Sequence, residues 1–131
     1  AFPVVVAGAN GRIAISFYGS TTDALGWDHN PGTAPATTRW EGYVAVVTDA
    51  ASAAPTLAPV KVTAGDPLQI GCISKLGGCL NNIADYMDVD VGPDGRVYAV
   101  YTDGCVGCAT SATSTLQKGI VAIQMGGPTL L

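Results

Sequence analysis

Charged residues are scarce in this sequence, and basic residues are the minority among them. Its 131 residues include six Lys or Arg, ten Asp or Glu and one His, which gives a formal net charge of −4 at pH 7. Nucleic acids and anionic membrane surfaces are bound through clustered basic side chains, so we expect no nucleic-acid partner. No apolar run approaches the roughly 18 residues of a membrane-spanning helix, so we expect no membrane span.

Other common features are missing as well. No long stretch has the apolar period of an amphipathic helix, and no Asn-x-Ser/Thr acceptor for N-linked sugar occurs. The first residues, AFPVVVAG (1–8), start inside a strand-like run without an initiating Met or a signal segment, and we therefore expect a processed or cut chain. A hydrophobic content of 48% with 17 Gly and 8 Pro predicts a folded chain with many turns.

An internal repeat is the main positive feature. GANGRIAISFYG (8–19) recurs as GPDGRVYAVYTD (92–103), and GYVAV (42–46) recurs as GIVAI (119–123). The offset between the copies is 84 residues for the first pair and 77 for the second. The flanking strings FPVVVAG and YMDVDVG, and further on APTL and GPTL, align in the same order. Repetition of this kind predicts one structural unit used twice.

Each copy has the pattern of short antiparallel strands. The pairs Asn10-Gly11 and Asp94-Gly95 predict hairpins with type I′ turns, in which both central residues have positive φ. Third strands are predicted at 43–48 and 120–125, and a fourth at 58–63. Four antiparallel strands per repeat are typical of a β-propeller blade.

The predicted fold class is therefore all-β, with about two four-stranded antiparallel β-propeller-type blades. The first repeat covers about residues 1–65 and the second about 80–131, with a Cys-bounded loop at 66–80 between them. Propellers typically close with four to eight blades, and two blades leave strand edges and apolar faces uncovered. We therefore expect part of a larger or assembled propeller, whose partners are the remaining blades of a parent chain or other copies of this chain.

The four cysteines form two local pairs, Cys72 with Cys79 and Cys105 with Cys108. Four thiolates could hold a structural Zn²⁺, but the C-x6-C spacing is wider than such sites usually have. Two disulfides that tie short loops in an oxidising compartment are the favoured interpretation. They predict a secreted, extracellular protein.

Three segments carry a resemblance to a known family. They are FPVVVAGANGRIAISFYGS (2–20), RWEGYVAVV (39–47) and the block GCISKLGGCLNNIADYMDVDVGPDGRVYAVYTDGCVGC (71–108). Together they resemble the C-terminal part of sialidase-like, BNR-repeat β-propeller proteins. The resemblance implies an extracellular propeller at a prokaryotic cell surface, of which this chain would be the last one or two blades.

The catalytic features of that family are missing here. Its Asp-box, Ser-x-Asp-x-Gly-x-x-Trp, occurs in neither copy, since STTDALGW (20–27) has one residue too many between Asp and Gly. A sialidase also needs three arginines for the substrate carboxylate, a Tyr nucleophile paired with a Glu, and an acid/base Asp. The chain offers Arg12, Arg39, Arg96 and a single Glu, Glu41. Arg12 and Arg96 follow equivalent turns, which favours a role in blade stability, and we assign no catalytic residue.

These expectations favour an extracellular module with a binding or structural and assembly role, which is not catalytic by itself. The alternative is a C-terminal fragment of a sialidase-like glycoside hydrolase whose catalytic residues lie mostly outside this segment. Whether a complete parent protein would be an enzyme is left open by these residues.

Acidic residues cluster around the second hairpin. Asp88 and Asp90 alternate with apolar residues and would project from one strand face, and Asp94 lies in the following turn. Their oxygens could bind Ca²⁺, so Asp88, Asp90 and Asp94 are the candidate metal ligands. A polar strand face with a turn aspartate explains the same pattern without any cofactor.

Aromatic residues offer a second kind of site. Trp27, Trp40 and Tyr43 could form a platform for carbohydrate or peptide, or they could pack between blades, and the sequence favours both interpretations equally. Asp85 and Tyr86, at the start of the strand after the second cysteine, are further ligand-binding candidates. His29, the only histidine, is predicted to be an exposed loop residue.

Overall fold

The computed structural model describes residues 1–20, 30–63, 65–74, 83, 86–108 and 116–131. Eight strands occur in this part of the chain and no helix, so the all-β prediction is confirmed. No helix long and apolar enough to cross a membrane is found among these residues. The strands are β1 (Val4–Ala7), β2 (Ile13–Ser20), β3 (Arg39–Val47), β4 (Val60–Lys61), β5 (Gln69–Ile70), β6 (Met87–Val91), β7 (Val97–Asp103) and β8 (Lys118–Ile123).

The strands form two antiparallel sheets. Sheet 1 has the order β1-β2-β3-β4, and β5 pairs with the first residues of β3. Sheet 2 has the order β6-β7-β8. The predicted fourth strand at 58–63 is only the two residues of β4, because Pro59 cannot donate to the ladder before it. Sheet 2 has no fourth strand within the described ranges.

The two sheets share one strand register. A shift of 84 residues converts Val5↔Ile15 of sheet 1 into Val89↔Ala99 of sheet 2. The second ladder follows the same rule, since Phe17↔Tyr43 corresponds to Tyr101↔Ile120. Every pair of the β7–β8 ladder has such a counterpart in the β2–β3 ladder. The sequence repeat is therefore also a structural repeat over three strands.

The two hairpin turns differ, and one turn prediction is wrong. Asn10 and Gly11 have φ of 55° and 72°, as a type I′ turn requires. At the second hairpin only Gly95 has positive φ, at 78°, and its N–H donates to the Gly92 carbonyl at 2.9 Å. Pro93 fixes φ near −65°, which suits the first central position of a type I turn. Gly95 then forms the bulge that follows such a turn.

The sheets pack together through opposite faces of the repeat. On β2 the buried side chains are Ala14, Ser16 and Tyr18, whereas on β7 they are Val97, Ala99, Tyr101 and Asp103. A shift of 84 residues moves the β2 set onto positions 98, 100 and 102, which face away from the core. The joint core consists of Ala14, Tyr18, Ala34, Trp40, Leu68, Ile73, Ile83, Met87, Val89, Val97, Ala99, Tyr101 and Leu130.

Candidate functional site

A buried polar contact joins the two sheets at their centre. The Ser16 hydroxyl donates to the Tyr101 hydroxyl at 2.7 Å, and Tyr101 donates to the Tyr43 carbonyl at 2.9 Å. Burial raises the pKa of Tyr101 from 10.0 to about 12, and the Ser16 hydrogen bond acts in the opposite direction. The phenol is therefore protonated at neutral pH, and it connects the sheets as a donor and acceptor.

Tyr18 extends this contact on the other side of the interface. Its ring meets that of Tyr101 edge-on, with centroids 5.9 Å apart, an arrangement that aromatic pairs prefer. Its hydroxyl lies 3.4 Å from the carbonyl of Ile83 and 3.3 Å from that of Tyr86. Both tyrosines are fully engaged in packing and hydrogen bonding, so neither is placed as a nucleophile.

The C-terminal segment, residues 128–131, is hydrogen-bonded to both hairpin turns. The N–H of Ala9 donates to the Leu130 carbonyl at 2.7 Å, and the N–H of Leu130 donates to the Gly95 carbonyl at 2.8 Å. The Leu130 side chain is fully buried, and Gly8 has no room for a side chain because a Cβ there would overlap Leu130. The tail thus bridges equivalent turns of the two repeats.

The repeat-equivalent arginines have different partners. Arg12 donates to the Thr129 carbonyl at 2.9 Å and so holds the C-terminal segment. Arg96 pairs with Asp94 at 3.3 Å on the surface, where both side chains are about half exposed. Neither contact points to a shared anionic ligand. The stabilising role predicted for Arg12 has a clear structural basis in this contact.

An apolar cleft separates the sheets where they diverge. Strands β1 and β2 approach β6, and residues of β3, β4, β7 and β8 line a cleft of about 430 Å³. The Gln124 side chain is occupied locally, since it accepts from Val97 and donates to the carbonyls of Gly126 and Pro128. The apolar residues that line the cleft are Val44, Val46, Ala58, Val60, Val62, Val97, Ala99, Ala122, Ile123 and Met125. The cleft therefore offers apolar contact, and none of its lining residues in the described part of the chain is charged.

The predicted aromatic platform is divided between two faces of β3. Trp40 is 3% exposed and donates its indole N–H to the Gly71 carbonyl at 2.7 Å, so it packs in the core. Tyr43 lies three residues further along the same strand and therefore on the opposite face, stacked on Phe17 with ring centroids 5.5 Å apart. The structure does not bring Trp40 and Tyr43 together, and Trp27 lies outside the described residues.

Of the other predicted ligand residues, the structure describes Tyr86. Tyr86 is 62% exposed, and its carbonyl accepts from the hydroxyls of Tyr18 and Thr102. Asp85 and His29 fall outside the described part of the chain. The exposed ring of Tyr86 is therefore available to a ligand. The backbone of Tyr86 is held by its hydrogen bonds at the interface between the sheets.

Each of the three candidate calcium ligands accepts a hydrogen bond from a backbone N–H. Asp88 accepts from the N–H of Val89 and Asp90 from that of Val91, both at 2.8 Å, and both project from the outer face of β6 as predicted. Asp94 accepts from the N–H of Arg96 in the turn. Within residues 1–20, 30–63, 65–74, 83, 86–108 and 116–131, no three His, Cys, Asp or Glu side chains are placed to hold a metal ion.

The cysteines are oxidised where the structure describes them. Cys105 and Cys108 form a disulfide with Cα atoms 5.4 Å apart, and Cys72 is also disulfide-bonded. Cys79, its predicted partner, lies outside the described residues. The disulfide prediction is thus confirmed for Cys105–Cys108. The loop is anchored by Asp103, which accepts from the Cys105 N–H at 2.9 Å and pairs with Lys118 at 3.5 Å.

Sequence reasoning missed the residues that join the sheets, Ser16, Tyr18 and Tyr101. The repeat alignment placed each on a strand, but it gave no signal for the bond between Ser16 and Tyr101, because they are not repeat equivalents. Comparison with known proteins adds no family to this geometry: a scan against family models and searches of curated proteins and of solved structures each returned no match.

Proposed function

We propose that this chain is an extracellular β-propeller-type module with two consecutive blades, and that its role is binding or assembly and not catalysis. The observation that carries the proposal is the packing of two sheets of identical register through opposite faces. In a ring of blades, each sheet presents one face to its predecessor and the other to its successor. Two identical units that formed a closed two-fold sandwich would bury the same face of each.

The divergence of the sheets supports the same arrangement. The first strands of the units, β1 and β6, lie close together, and the apolar cleft opens between residues of the third and fourth strands of sheet 1 and strands β7 and β8 of sheet 2. Blades that radiate from an axis converge at their first strands and diverge outward. The cleft is therefore the wedge between neighbouring blades.

The chemistry of the described side chains supports a non-catalytic role. Glu41, the only glutamate, is buried and accepts from the Thr63 hydroxyl at 2.6 Å, with Lys61 3.6 Å away. Asp103, at the end of β7, accepts from the Cys105 N–H and pairs with Lys118, and Tyr101 joins the sheets. Disulfides persist in oxidising compartments, which supports the extracellular location.

A sialoside assay tests whether this chain is catalytic by itself. The purified, oxidised chain is incubated with a fluorogenic sialoside beside an active sialidase, and we expect no turnover above the buffer rate. Hydrolysis by this chain that is lost in a Glu41→Gln variant would overturn the proposal and favour the glycoside hydrolase.

A further inference from the structure

Part of the outer face of sheet 1 is an apolar surface whose positions match a face that the molecule already buries. We define this surface by Val5, Ile13, Ile15, Phe17 and Tyr43, which project away from sheet 2. Their repeat counterparts on sheet 2 all belong to the interface between the sheets or pack against it. Those counterparts are Val89, Val97, Ala99, Tyr101 and Ile120. On the same face of sheet 1, Ala45 and Val47 are already buried within the chain, and Glu41 and Lys61 place charges beside Tyr43.

The outer face of sheet 2 matches the other half of that interface. We define it by Tyr98, Val100, Val121 and Ile123, with Asp88 and Asp90 beside them on β6. Val100, Val121 and Ile123 are 41%, 63% and 48% exposed, a large share for apolar side chains. The repeat counterparts on the inner face of sheet 1 are Ala14, Ser16, Val44 and Val46.

We propose that a second copy of this chain covers the outer face of sheet 1, and that it does so with the outer face of its own sheet 2. This inference rests on the proposed module function and names its partner. Each copy carries both halves of an interface that already exists within it, so head-to-tail stacking continues that interface. Such heterologous contacts close into a ring when the rotation permits. With two units per copy, a ring of four to eight blades contains two to four copies.

Two aspartates limit the strength of this contact. Asp88 and Asp90 occupy the positions that Val4 and Val6 occupy in sheet 1, where the valines pack against the core. Burying a carboxylate beneath apolar residues is costly, even when one oxygen keeps a backbone hydrogen bond. The contact between copies is therefore weaker than the internal one, and these two residues set its affinity.

Light scattering on a sizing column, over a range of concentrations, tests the proposal with the full oxidised chain. The wild-type mass rises with concentration towards two to four copies. Val5→Lys and Val121→Lys each place a charge on one of the two faces, at side chains 61% and 63% exposed, and each abolishes this rise. Val60→Lys is the matched control, because Val60 is 64% exposed but lines the cleft, and it associates as the wild type does.

A mixture of Val5→Lys and Val121→Lys tests whether the contact joins the sheet 1 face of one copy to the sheet 2 face of another. Val5→Lys retains a free sheet 2 face and Val121→Lys a free sheet 1 face, so together they form a dimer that grows no further. The double variant Asp88→Val/Asp90→Val associates at a concentration at least about tenfold lower than the wild type, as removal of two buried charges requires.

Three results would overturn the stacking. They are a monomeric Asp88→Val/Asp90→Val chain at every concentration, association that survives Val121→Lys, and a mixture of blocked variants that stays monomeric. Unchanged circular dichroism shows that each variant is folded. Failure here leaves the module function standing, because that proposal fails on sialoside turnover, which none of these variants addresses.

Discussion

At the scale of single residues, the hydroxyl of Tyr101 connects two strands of one sheet to a strand of the other. It accepts from Ser16 in one strand and donates to the backbone of Tyr43 in the next. Both partners belong to sheet 1, while Tyr101 belongs to sheet 2. This phenol therefore contributes a directional polar contact to an interface that Tyr18, the C-terminal segment and the joint core also hold.

Tyr101→Phe removes both hydrogen bonds and leaves the Ser16 hydroxyl buried without this partner. We expect the free energy of unfolding to fall by about 1–3 kcal/mol, the cost of unsatisfied buried polar groups. Urea denaturation followed by fluorescence measures the change. Tyr98→Phe is the control, since Tyr98 lies on the outer face of sheet 2, and we expect a change within about 0.5 kcal/mol. Equal effects from the two variants would contradict this account.

The raised pKa of Tyr101 also predicts a dependence on alkaline pH. The folded protein holds the phenolic proton more tightly than the unfolded chain, so this contribution is fully present below pH 10 and is lost as the pH rises from 10.0 towards about 12. The loss amounts to roughly 2–3 kcal/mol at about 1.4 kcal/mol per pKa unit. Urea denaturation at several pH values measures it, and the difference between wild type and Tyr101→Phe isolates Tyr101. Parallel curves would show that another group is responsible.

At the scale of secondary-structure elements, the hairpins illustrate how far the sequence could be read. Asn10-Gly11 was predicted correctly because no neighbour competes with the type I′ preference of that pair. At Asp94-Gly95 the preceding Pro93 imposes its own φ, so the turn shifts by one residue. The third strand was predicted to start at 43, after Trp40, whereas β3 starts at Arg39 and includes Trp40. Because β3 begins before Trp40, the strand alternation places the Trp40 side chain on the buried face.

The second turn is also the point where the tail is seated, which gives a prediction for Gly95→Ala. Gly95 has φ of 78°, and an added Cβ would lie 3.1 Å from atoms of Leu131 and Thr129. Gly65→Ala is the matched control, because its φ of 79° is equally strained but no atom lies within 4 Å. We expect a loss of about 1 kcal/mol for Gly65→Ala and about 2–3 kcal/mol for Gly95→Ala. Thermal unfolding of both variants measures the difference. Equal losses would show that Leu131 and Thr129 move away from the added Cβ without cost.

At the scale of the whole molecule, the strands and the repeat could be predicted, but the packing of the sheets could not. Both faces of β7 are apolar, since Val97, Tyr98, Ala99 and Val100 follow one another without a polar residue. An alternating pattern identifies the buried face only when one face is polar. The choice of buried face, and with it the partnership of Ser16 with Tyr101, depends on contacts between residues far apart in sequence.

The oxidation state of the cysteines is a further prediction for the whole chain. With Cys105–Cys108 and Cys72 both in disulfides, we expect denatured intact protein to gain four hydrogens when it is reduced. Mass spectrometry before and after treatment with a reductant measures this. A gain of two hydrogens would limit the oxidised state to one bond, and no gain would restore the zinc interpretation.

The tail that bridges the two hairpins has a consequence for how the chain folds. Arg12 and Thr129, which meet there, are 117 residues apart in sequence. Each hairpin can form from neighbouring residues, but this meeting requires the long segment between Arg12 and Thr129 to be closed into a loop, and such non-local contacts slow folding. We expect the meanders to form early and the joining of the two ends of the chain to set the rate.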